Sequence, residues 1–229
     1  MTNPIHRRKP HLMLELPSSF RSSLYLSLSL SPNPVKHTLT HNARLTLESY
    51  FSELQKLSIT LFGLMAEALK MDKIEIEGMF EDGLQSPEQV IGLTPHSDAT
   101  GITILLQVNG VKGLQIKKDG VWLPVKFLPD AFVVNLGDIM EILSNGLYYS
   151  IEHRATVNST TERISIAMFI NPKIEGEVGP ALSVTNSKNW PLFKRVLQEE
   201  YSRDFFSRKL NGKFFLEQMK IKAGQGQPN

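Results

Sequence analysis

The sequence predicts a mainly β fold, a barrel or jelly roll, with helices on its flanks. Between residues 87 and 172, short runs rich in branched residues alternate with turn residues, which is typical of antiparallel barrels and jelly rolls. Asp119 and Gly120 separate two of these runs and indicate a tight hairpin. Helical periodicity is found before and after this stretch. We therefore expect a β core at residues 87–172 and a helical C-terminal region at residues 173–229.

Two helices are predicted before the core. Over residues 47–71, apolar side chains recur at spacings of three and four, so we predict an amphipathic helix that braces the barrel. A second, short helix is predicted at residues 74–82. Gly83 and Pro87 end it before a strand that begins near Val90 and carries the first metal ligands.

The other predicted strands follow one another at short intervals. They lie at residues 102–107, 114–117, 121–125, 131–136 and 163–170, with a further apolar run at residues 149–157. Beyond the core, residues 190–210 carry an apolar stripe at helical spacing. We predict one long helix there that packs against the barrel or caps its mouth.

The first 43 residues differ in composition from the rest, and we expect them to be poorly ordered. Residues 1–47 contain six basic residues and one acid, so the remainder of this chain of net charge +2 is about −3. A basic face for nucleic acid would be confined to this segment, and we expect no nucleic-acid partner. No apolar run is long enough to span a membrane, so we expect no membrane partner. The absence of cysteine excludes disulfides and thiolate sites. We expect a cytoplasmic monomer.

Three residues of the predicted core have the spacing of a metal site: His96, Asp98 and His153. His96 and Asp98 are two residues apart, so in a strand both side chains leave the same face. His153 joins them from the apolar run at residues 149–157. Two imidazoles and one carboxylate on one face of an ion suit Fe(II) and leave positions open for a co-substrate and O2. Zinc could occupy the same ligands.

A carboxylate clamp is predicted beside this site. Arg163 and Ser165 share one face of the predicted strand 163–170 with Ala167 and Phe169, and the opposite face is apolar. A guanidinium binds a carboxylate through two parallel hydrogen bonds, and a serine hydroxyl can add a third. Such a clamp would hold a dicarboxylate beside the metal. The triad and the clamp together indicate 2-oxoglutarate.

Four segments give the sequence a resemblance to the plant 2-oxoglutarate/Fe(II)-dependent dioxygenases, and the branch of flavonoid and alkaloid oxygenases is the most similar. They are residues 92–101 (GLTPHSDATG), 135–138 (NLGD), 150–155 (SIEHRA) and 163–165 (RIS). The resemblance runs from about Leu47 to Ile221, and the segments occur in the order and spacing of the family. It implies a double-stranded β-helix, a cupin-like jelly roll, within residues 44–229.

The resemblance also implies roles for the residues singled out above. Iron would be held by His96, Asp98 and His153. The distal carboxylate of 2-oxoglutarate would be held by Arg163 and Ser165. By the same resemblance the chain would be an enzyme that uses Fe(II), 2-oxoglutarate and O2, with ascorbate sustaining the iron.

The implied reaction oxidises a small organic substrate. Phe169, on the same strand face as the clamp, would resemble the aromatic wall that the family places beside its substrate. Hydroxylation, desaturation or O-demethylation of a specialised plant metabolite would accompany the release of succinate and CO2.

The sequence departs from the family pattern in two places. Members carry an Asn-Tyr-Tyr-Pro-Pro strand before the first histidine, and its tyrosine helps to hold 2-oxoglutarate; residues 85–91 contain no such motif. The long N-terminal region of the family is also expected to be missing, with a Ser/Leu-rich stretch in its place. A missing strand would leave neighbouring backbone groups unpaired, at a cost of roughly 1–3 kcal/mol for each buried group.

Three functions remain open on these observations. The first is an oxygenase of a small specialised metabolite. The second is a catalytically impaired fragment or pseudoenzyme that retains metal or metabolite binding. The third, a cupin-type isomerase or hydrolase with another divalent ion, would use the triad but would leave Arg163 and Ser165 without a role.

Overall fold

The computed structural model describes residues 24–28, 41–80, 94–156, 161 and 163–222 of the 229-residue chain. Its helices are α1 His41–Leu69, α2 Lys73–Phe80, α3 Asp138–Leu143, α4 Gln198–Phe206 and α5 Phe214–Met219, with a 3-10 turn at Leu182–Val184. Its strands are β1 Leu24–Leu28, β2 Ile102–Gln107, β3 Leu114–Lys118, β4 Val121–Pro124, β5 Val133–Leu136, β6 His153–Ala155, β7 Ile164–Ile170, β8 Glu177–Val178 and β9 Val196–Leu197. The prediction of a mainly β core with flanking helices is confirmed.

Two antiparallel sheets form the β core. The large sheet has the strand order β1-β7-β2-β5, and the small sheet has the order β4-β3-β6. The predicted strands 102–107, 114–117, 121–125, 131–136 and 163–170 correspond to β2, β3, β4, β5 and β7, with ends that shift by at most two residues. The predicted hairpin is also confirmed, because Asp119 and Gly120 both have positive φ, at 51° and 79°, as a two-residue hairpin turn requires.

One face of the large sheet belongs to the main hydrophobic core. Ile102 and Ile104 of β2 and Met168 and Ile170 of β7 alternate along their strands and are at most 1% exposed. They form one buried cluster with side chains of the two N-terminal helices, among them Phe51, Leu54, Phe62, Ala66, Ile76 and Phe80. Helix α1 thus packs against the sheet, and it begins six residues before the predicted start. Thr103 of β2 and Ser165 and Phe169 of β7 lie on the opposite face of the sheet.

Strand β1 lies inside the segment that was predicted to be poorly ordered. Its five residues pair with β7 in antiparallel register, from Leu24 opposite Met168 to Leu28 opposite Ile164. The side of β7 away from β2 is therefore paired with another strand. The rest of residues 1–40 lies outside the described residues. So does the segment 81–93, which includes the place of the Asn-Tyr-Tyr-Pro-Pro motif.

The prediction that His96 and Asp98 lie on a regular strand is wrong. Residues 94–101 follow an irregular path in which His96 makes only isolated β-bridges, one of them to His153. The carbonyls of Asp98 and Thr100 accept hydrogen bonds from the backbone N–H groups of Asp138 and Ile139, at 2.7 and 3.1 Å. These carbonyls therefore bind the start of α3, a helix that the sequence analysis missed, instead of a neighbouring strand.

The predicted long helix at residues 190–210 is also corrected. Only Gln198–Phe206 is helical, whereas Val196 and Leu197 form β9. The stretch before β9 is held in extended form by the C-terminal segment: the N–H of Lys194 donates to the carbonyl of Met219 at 2.8 Å. Apolar spacing alone did not reveal this distant partner. No helix within the described residues is long and apolar enough to cross a membrane.

Candidate metal centre

Three predicted ligands meet at one point between the two sheets. One oxygen of Asp98, Oδ1, lies 3.5 Å from Nε2 of His96 and 3.6 Å from Nε2 of His153. The ligand atoms of all three residues lie within 4.8 Å of one another, close enough to bind a single ion. His96 and Asp98 are 3% and 4% exposed, and the side chain of His153 is 14% exposed. The site is therefore almost enclosed and open mainly on the His153 side.

Both imidazoles are oriented by backbone carbonyls. Nδ1 of His96 lies 2.6 Å from the carbonyl oxygen of Thr94, and Nδ1 of His153 lies 3.1 Å from that of Ile151. A carbonyl can only accept a hydrogen bond, so the proton of each neutral ring is placed on Nδ1. Both Nε2 lone pairs are then free for a metal. This arrangement, in which the second ring nitrogen is fixed by a hydrogen bond, is typical of metal-binding histidines.

The carboxylate of Asp98 is divided between two tasks. Its Oδ1 faces the imidazoles, and its Oδ2 accepts hydrogen bonds from Oγ1 of Thr103 at 2.6 Å and Nδ2 of Asn135 at 2.7 Å. Burial would raise the pKa of Asp98, but the nearby histidines and the Thr103 hydroxyl outweigh it and hold this pKa well below its usual range. Burial alone would lower the pKa of His96, but the hydrogen bond and the charge of Asp98 outweigh it, so this pKa is raised.

Thr103 and Asn135 are site residues that the sequence analysis did not single out. They are direct cross-strand neighbours on β2 and β5, and the Asn135 hydrogen bond joins residues 37 positions apart. Asn135 belongs to the motif at residues 135–138, and this motif was the available signal. The sequence did not reveal the role of Asn135, because the side-chain alternation of β5 does not show which residue of another segment Asn135 contacts.

The histidine segments are joined through the backbone. The N–H of His96 donates to the carbonyl of His153 at 3.0 Å, and the N–H of His153 returns a bond to His96 at 2.8 Å. This reciprocal pair brings the rings to a centroid separation of 4.4 Å. Close packing fixes the other end of the loop, because a Cβ on Gly137 would lie 2.1 Å from the carbonyl oxygen of Thr100. Only glycine fits there.

The predicted clamp residues lie at the start of β7: Ser165 belongs to the strand, and Arg163 directly precedes it. Nη1 of Arg163 donates to Oγ of Ser165 at 3.0 Å, and Ser165 is 3% exposed. Within the described residues, Nε and Nη2 of Arg163 are buried and have no hydrogen-bond partner. Burial lowers the pKa of Arg163. Two donors of one guanidinium thus point into the interior without an acceptor, which is the arrangement that a bound carboxylate would complete.

The space for the guanidinium depends on Gly113. A Cβ at this position would lie 2.7 Å from Cδ of Arg163 and 2.9 Å from the carbonyl oxygen of Thr156. The sixth predicted residue, Phe169, is half-buried on β7 and lies opposite Thr103 in the register of the sheet. Phe169 therefore sits at the metal end of the strand, and Arg163 lies just before the other end.

Comparisons with known proteins agree with this architecture. The profile of the 2OG-Fe(II) oxygenase superfamily matches residues 80–172, the stretch that contains all three predicted metal ligands. The oxoglutarate-dependent flavonoid 7-O-demethylase 1 of Ocimum basilicum is 44% identical and covers 95% of this chain. The codeine O-demethylase of Papaver somniferum is 46% identical over the same share. The chain spans 55% and 58%, respectively, of these two relatives.

A solved structure shares the fold. The crystal structure of JOX2 in complex with 2OG, Fe and JA has 32% sequence identity, matches with a TM-score of 0.74, and covers 88% of this chain and 65% of JOX2. The predicted double-stranded β-helix of the jelly-roll class is thereby confirmed. The sequence matches, which include 95% of the chain, also extend into residues 1–43, beyond the range that the motifs alone had indicated. The chain therefore belongs to the 2-oxoglutarate- and Fe(II)-dependent oxygenase superfamily, with plant dioxygenases among its relatives.

Proposed function

We propose that this chain is a 2-oxoglutarate- and Fe(II)-dependent oxygenase that oxidises a small specialised metabolite. The observation that carries the proposal is the combination of a preformed His-Asp-His site with a buried arginine whose Nε and Nη2 have no partner among the described residues. A metal site alone would also suit a hydrolase or an isomerase. The arginine adds a requirement for an anionic co-substrate, which those alternatives do not explain.

His96, Asp98 and His153 fit Fe(II), because two neutral imidazoles and one carboxylate are the ligand types of the facial triad. In the proposed assignment, Nε2 of each histidine and Oδ1 of Asp98 bind the metal. Thr103 and Asn135 hold the other carboxylate oxygen, so the carboxylate cannot rotate away from the metal. Bound Fe(II), with O2 and 2-oxoglutarate, would supply the oxidising chemistry, with succinate and CO2 as the products of the co-substrate.

Arg163 and Ser165 are proposed to hold the distal carboxylate of 2-oxoglutarate. The guanidinium would donate Nε–H and Nη2–H to the two carboxylate oxygens, and Ser165 would keep Nη1 in place. Holding the co-substrate at this end fixes its orientation toward the triad and reduces the entropy cost of reaction. Phe169, at the metal end of the same strand, is proposed to contact the organic substrate.

The proposed substrate class is a small specialised plant metabolite. Two relatives bear the names flavonoid 7-O-demethylase and codeine O-demethylase, and a third, from Papaver somniferum, is thebaine 6-O-demethylase at 44% identity. These names support O-demethylation as the first reaction to test, with hydroxylation and desaturation beside it. We further propose that the protein acts as a cytoplasmic monomer. The absence of cysteine is compatible with that location.

An anaerobic titration with Fe(II) and 2-oxoglutarate tests the proposal directly. The weak visible charge-transfer band of the complex should appear and saturate in the wild-type protein and be absent from His153→Ala. Addition of O2 and ascorbate should then yield succinate in proportion to the 2-oxoglutarate consumed, and candidate flavonoids and alkaloids can be screened for faster turnover. A folded protein without the band would contradict co-substrate binding. A band without succinate would favour the impaired or pseudoenzyme alternative.

A further inference from the structure

A network of buried polar side chains lies behind the metal centre and is not used by the proposed function. It contains Asp138 and Glu141 of α3, which are 1% and 4% exposed, and Ser150, which is fully buried. The hydroxyl of Ser150 donates to Oδ1 of Asp138 at 2.5 Å and approaches Oε2 of Glu141 at 3.1 Å. The N–H of Ser150 also donates to Oε2 of Glu141, at 2.7 Å. Two carboxylates thus converge on one serine.

Lys213 supplies the positive charge for this pair. Its Nζ donates to Oε2 of Glu141 at 2.6 Å and to the carbonyl oxygen of Ser150 at 3.0 Å, and it lies 3.6 Å from the ring centroid of Tyr149. The side chains of Lys213 and Glu141 are 12% and 5% exposed, so water screens their charges poorly. Removing the cation that pairs with a buried carboxylate is strongly destabilising. Lys213 therefore stabilises the buried carboxylate of Glu141 on α3.

The network contacts every segment that carries a metal ligand. Asp138 accepts a hydrogen bond at 2.9 Å from the hydroxyl of Ser97, the residue between His96 and Asp98. The backbone N–H of Asp138 also donates to the carbonyl of Asp98 at 2.7 Å. On the other side, Ser150 begins the short approach to His153. Both histidine segments are thus attached to the first turn of α3: the His96 segment through Asp138, and Ser150 through Asp138 and Glu141.

The backbone next to Lys213 makes a second connection. The N–H of Gly212 donates to the carbonyl of Pro95 at 3.1 Å, and the N–H of Ser97 donates to the carbonyl of Gly212 at 3.4 Å. Gly212 has a φ of +53°, so it turns the chain at the point where it meets the His96 segment. His96 consequently lies between two backbone partners, His153 on one side and Gly212 on the other.

We propose that Lys213 is a positioning residue for the metal centre. Through Glu141, Ser150 and Asp138 it fixes the relative placement of the segments that carry the triad. The stretch between α4 and α5 is therefore part of the metal-binding unit, although it contributes no ligand. This inference rests on the proposed metal site. Groups that hydrogen-bond to the segments carrying the ligands fix the ligand positions, so changing them should alter metal affinity.

Co(II) binding to the purified 229-residue chain tests this role without a need for catalysis. Wild type, Lys213→Met and the control Lys209→Met, which alters an exposed lysine four residues earlier, are titrated with Co(II) under anaerobic conditions. The d–d spectrum reports both affinity and ligand geometry. We expect Lys213→Met to bind Co(II) about tenfold or more weakly, with a changed band shape, because losing groups that hold the metal ligands in place commonly costs about 10–100-fold in metal affinity. The control should match wild type.

The outcomes separate this inference from the proposed function. Failure of wild type to bind Co(II), or retention of binding in His153→Ala, would contradict the metal site itself. Wild-type affinity and band shape in a folded Lys213→Met protein would refute the positioning role alone. If that variant does not fold, the double variant Glu141→Gln/Lys213→Met removes both charges and keeps an acceptor for the Ser150 N–H. The same loss of affinity is then expected, and an affinity within twofold of wild type overturns the inference.

Discussion

Replacing Arg163 with methionine should change stability and co-substrate binding in opposite directions. In the protein without co-substrate, Nε and Nη2 of Arg163 are buried and have no partner among the described residues, while Nη1 bonds to Ser165. Each unsatisfied buried donor costs about 1–3 kcal/mol, and the one hydrogen bond returns about 1 kcal/mol. The two donors together cost about 2–6 kcal/mol, so Arg163→Met should raise the free energy of unfolding of the metal-free, ligand-free protein by about 1–5 kcal/mol.

The same substitution should nearly abolish 2-oxoglutarate binding. Two charge-assisted hydrogen bonds contribute about 1.5–3 kcal/mol each, so their loss corresponds to roughly 10²–10⁴ in the dissociation constant. Urea denaturation with and without 2-oxoglutarate measures both effects in one assay, with Co(II) present in the ligand series. Wild type should gain stability with the ligand, whereas Arg163→Met should gain almost none. Arg203→Met, at an exposed position of α4, is the matched control.

Two results would refute this reasoning. If Arg163→Met lowers the stability of the ligand-free protein by more than about 1 kcal/mol, the guanidinium already has favourable partners in the ligand-free protein. If 2-oxoglutarate still stabilises the variant as it does wild type, the carboxylate is held elsewhere. Ser165→Ala provides an intermediate case, because it removes one hydrogen bond to Nη1 and leaves the two free donors in place. Its affinity for 2-oxoglutarate should fall less than that of Arg163→Met.

Three further predictions concern other parts of the molecule. Gly113→Ala should weaken 2-oxoglutarate binding about tenfold or more while leaving Co(II) affinity unchanged, because the new methyl group would lie 2.7 Å from Cδ of Arg163 and displace its side chain; equal 2-oxoglutarate affinity in isothermal titration would contradict this. Asp138→Asn should reduce the pH dependence of stability: burial raises the pKa of Asp138 from 3.8 to about 7. The stability associated with its protonation is thus fully present below pH 3.8 and is lost as pH rises through about 7, by up to roughly 4 kcal/mol. Urea denaturation of the metal-free protein between these pH values should show wild type losing stability relative to the variant, and parallel curves would refute the assignment. Phe80→Ala should cost about 3–5 kcal/mol in the same assay because this ring is fully buried, whereas Phe214→Ala, at a ring that is 55% exposed, should cost less than about 0.5 kcal/mol; similar losses in both would contradict the placement of the core.

The sequence predicted those elements whose signal is local. A run of branched residues located β2 and the alternation of side chains located β7, each to within one residue, and Asp119 and Gly120 located the hairpin between β3 and β4. The types and order of the triad residues likewise indicated a metal site before any geometry was known. Such signals succeed because side-chain periodicity and turn conformation depend on near neighbours in the chain.

The errors arose where a distant partner outweighs local preference. Residues 190–197 have helical apolar spacing, yet the backbone of Lys194 pairs with Met219 and stays extended. His96 and Asp98 were assigned to a strand, yet the carbonyl of Asp98 binds the N-terminus of α3. In both cases the backbone forms a hydrogen bond with a distant segment instead of the hydrogen bond of the predicted helix or strand. A buried backbone group needs a hydrogen-bond partner, and the packing of the fold supplies that partner.

The sequence by itself determined which chemical groups are available: two imidazoles, a carboxylate, a guanidinium and a hydroxyl, carried on a predominantly β chain. Only the tertiary structure decided how these groups are supported. Asn135 reaches Asp98 across 37 residues, and Lys213 reaches Glu141 across 72. No local pattern encodes such pairs, because they form only when the sheets and the C-terminal segment pack together. Buried polar groups must then find partners in that packed interior, since an unpaired one costs more than most single contacts contribute.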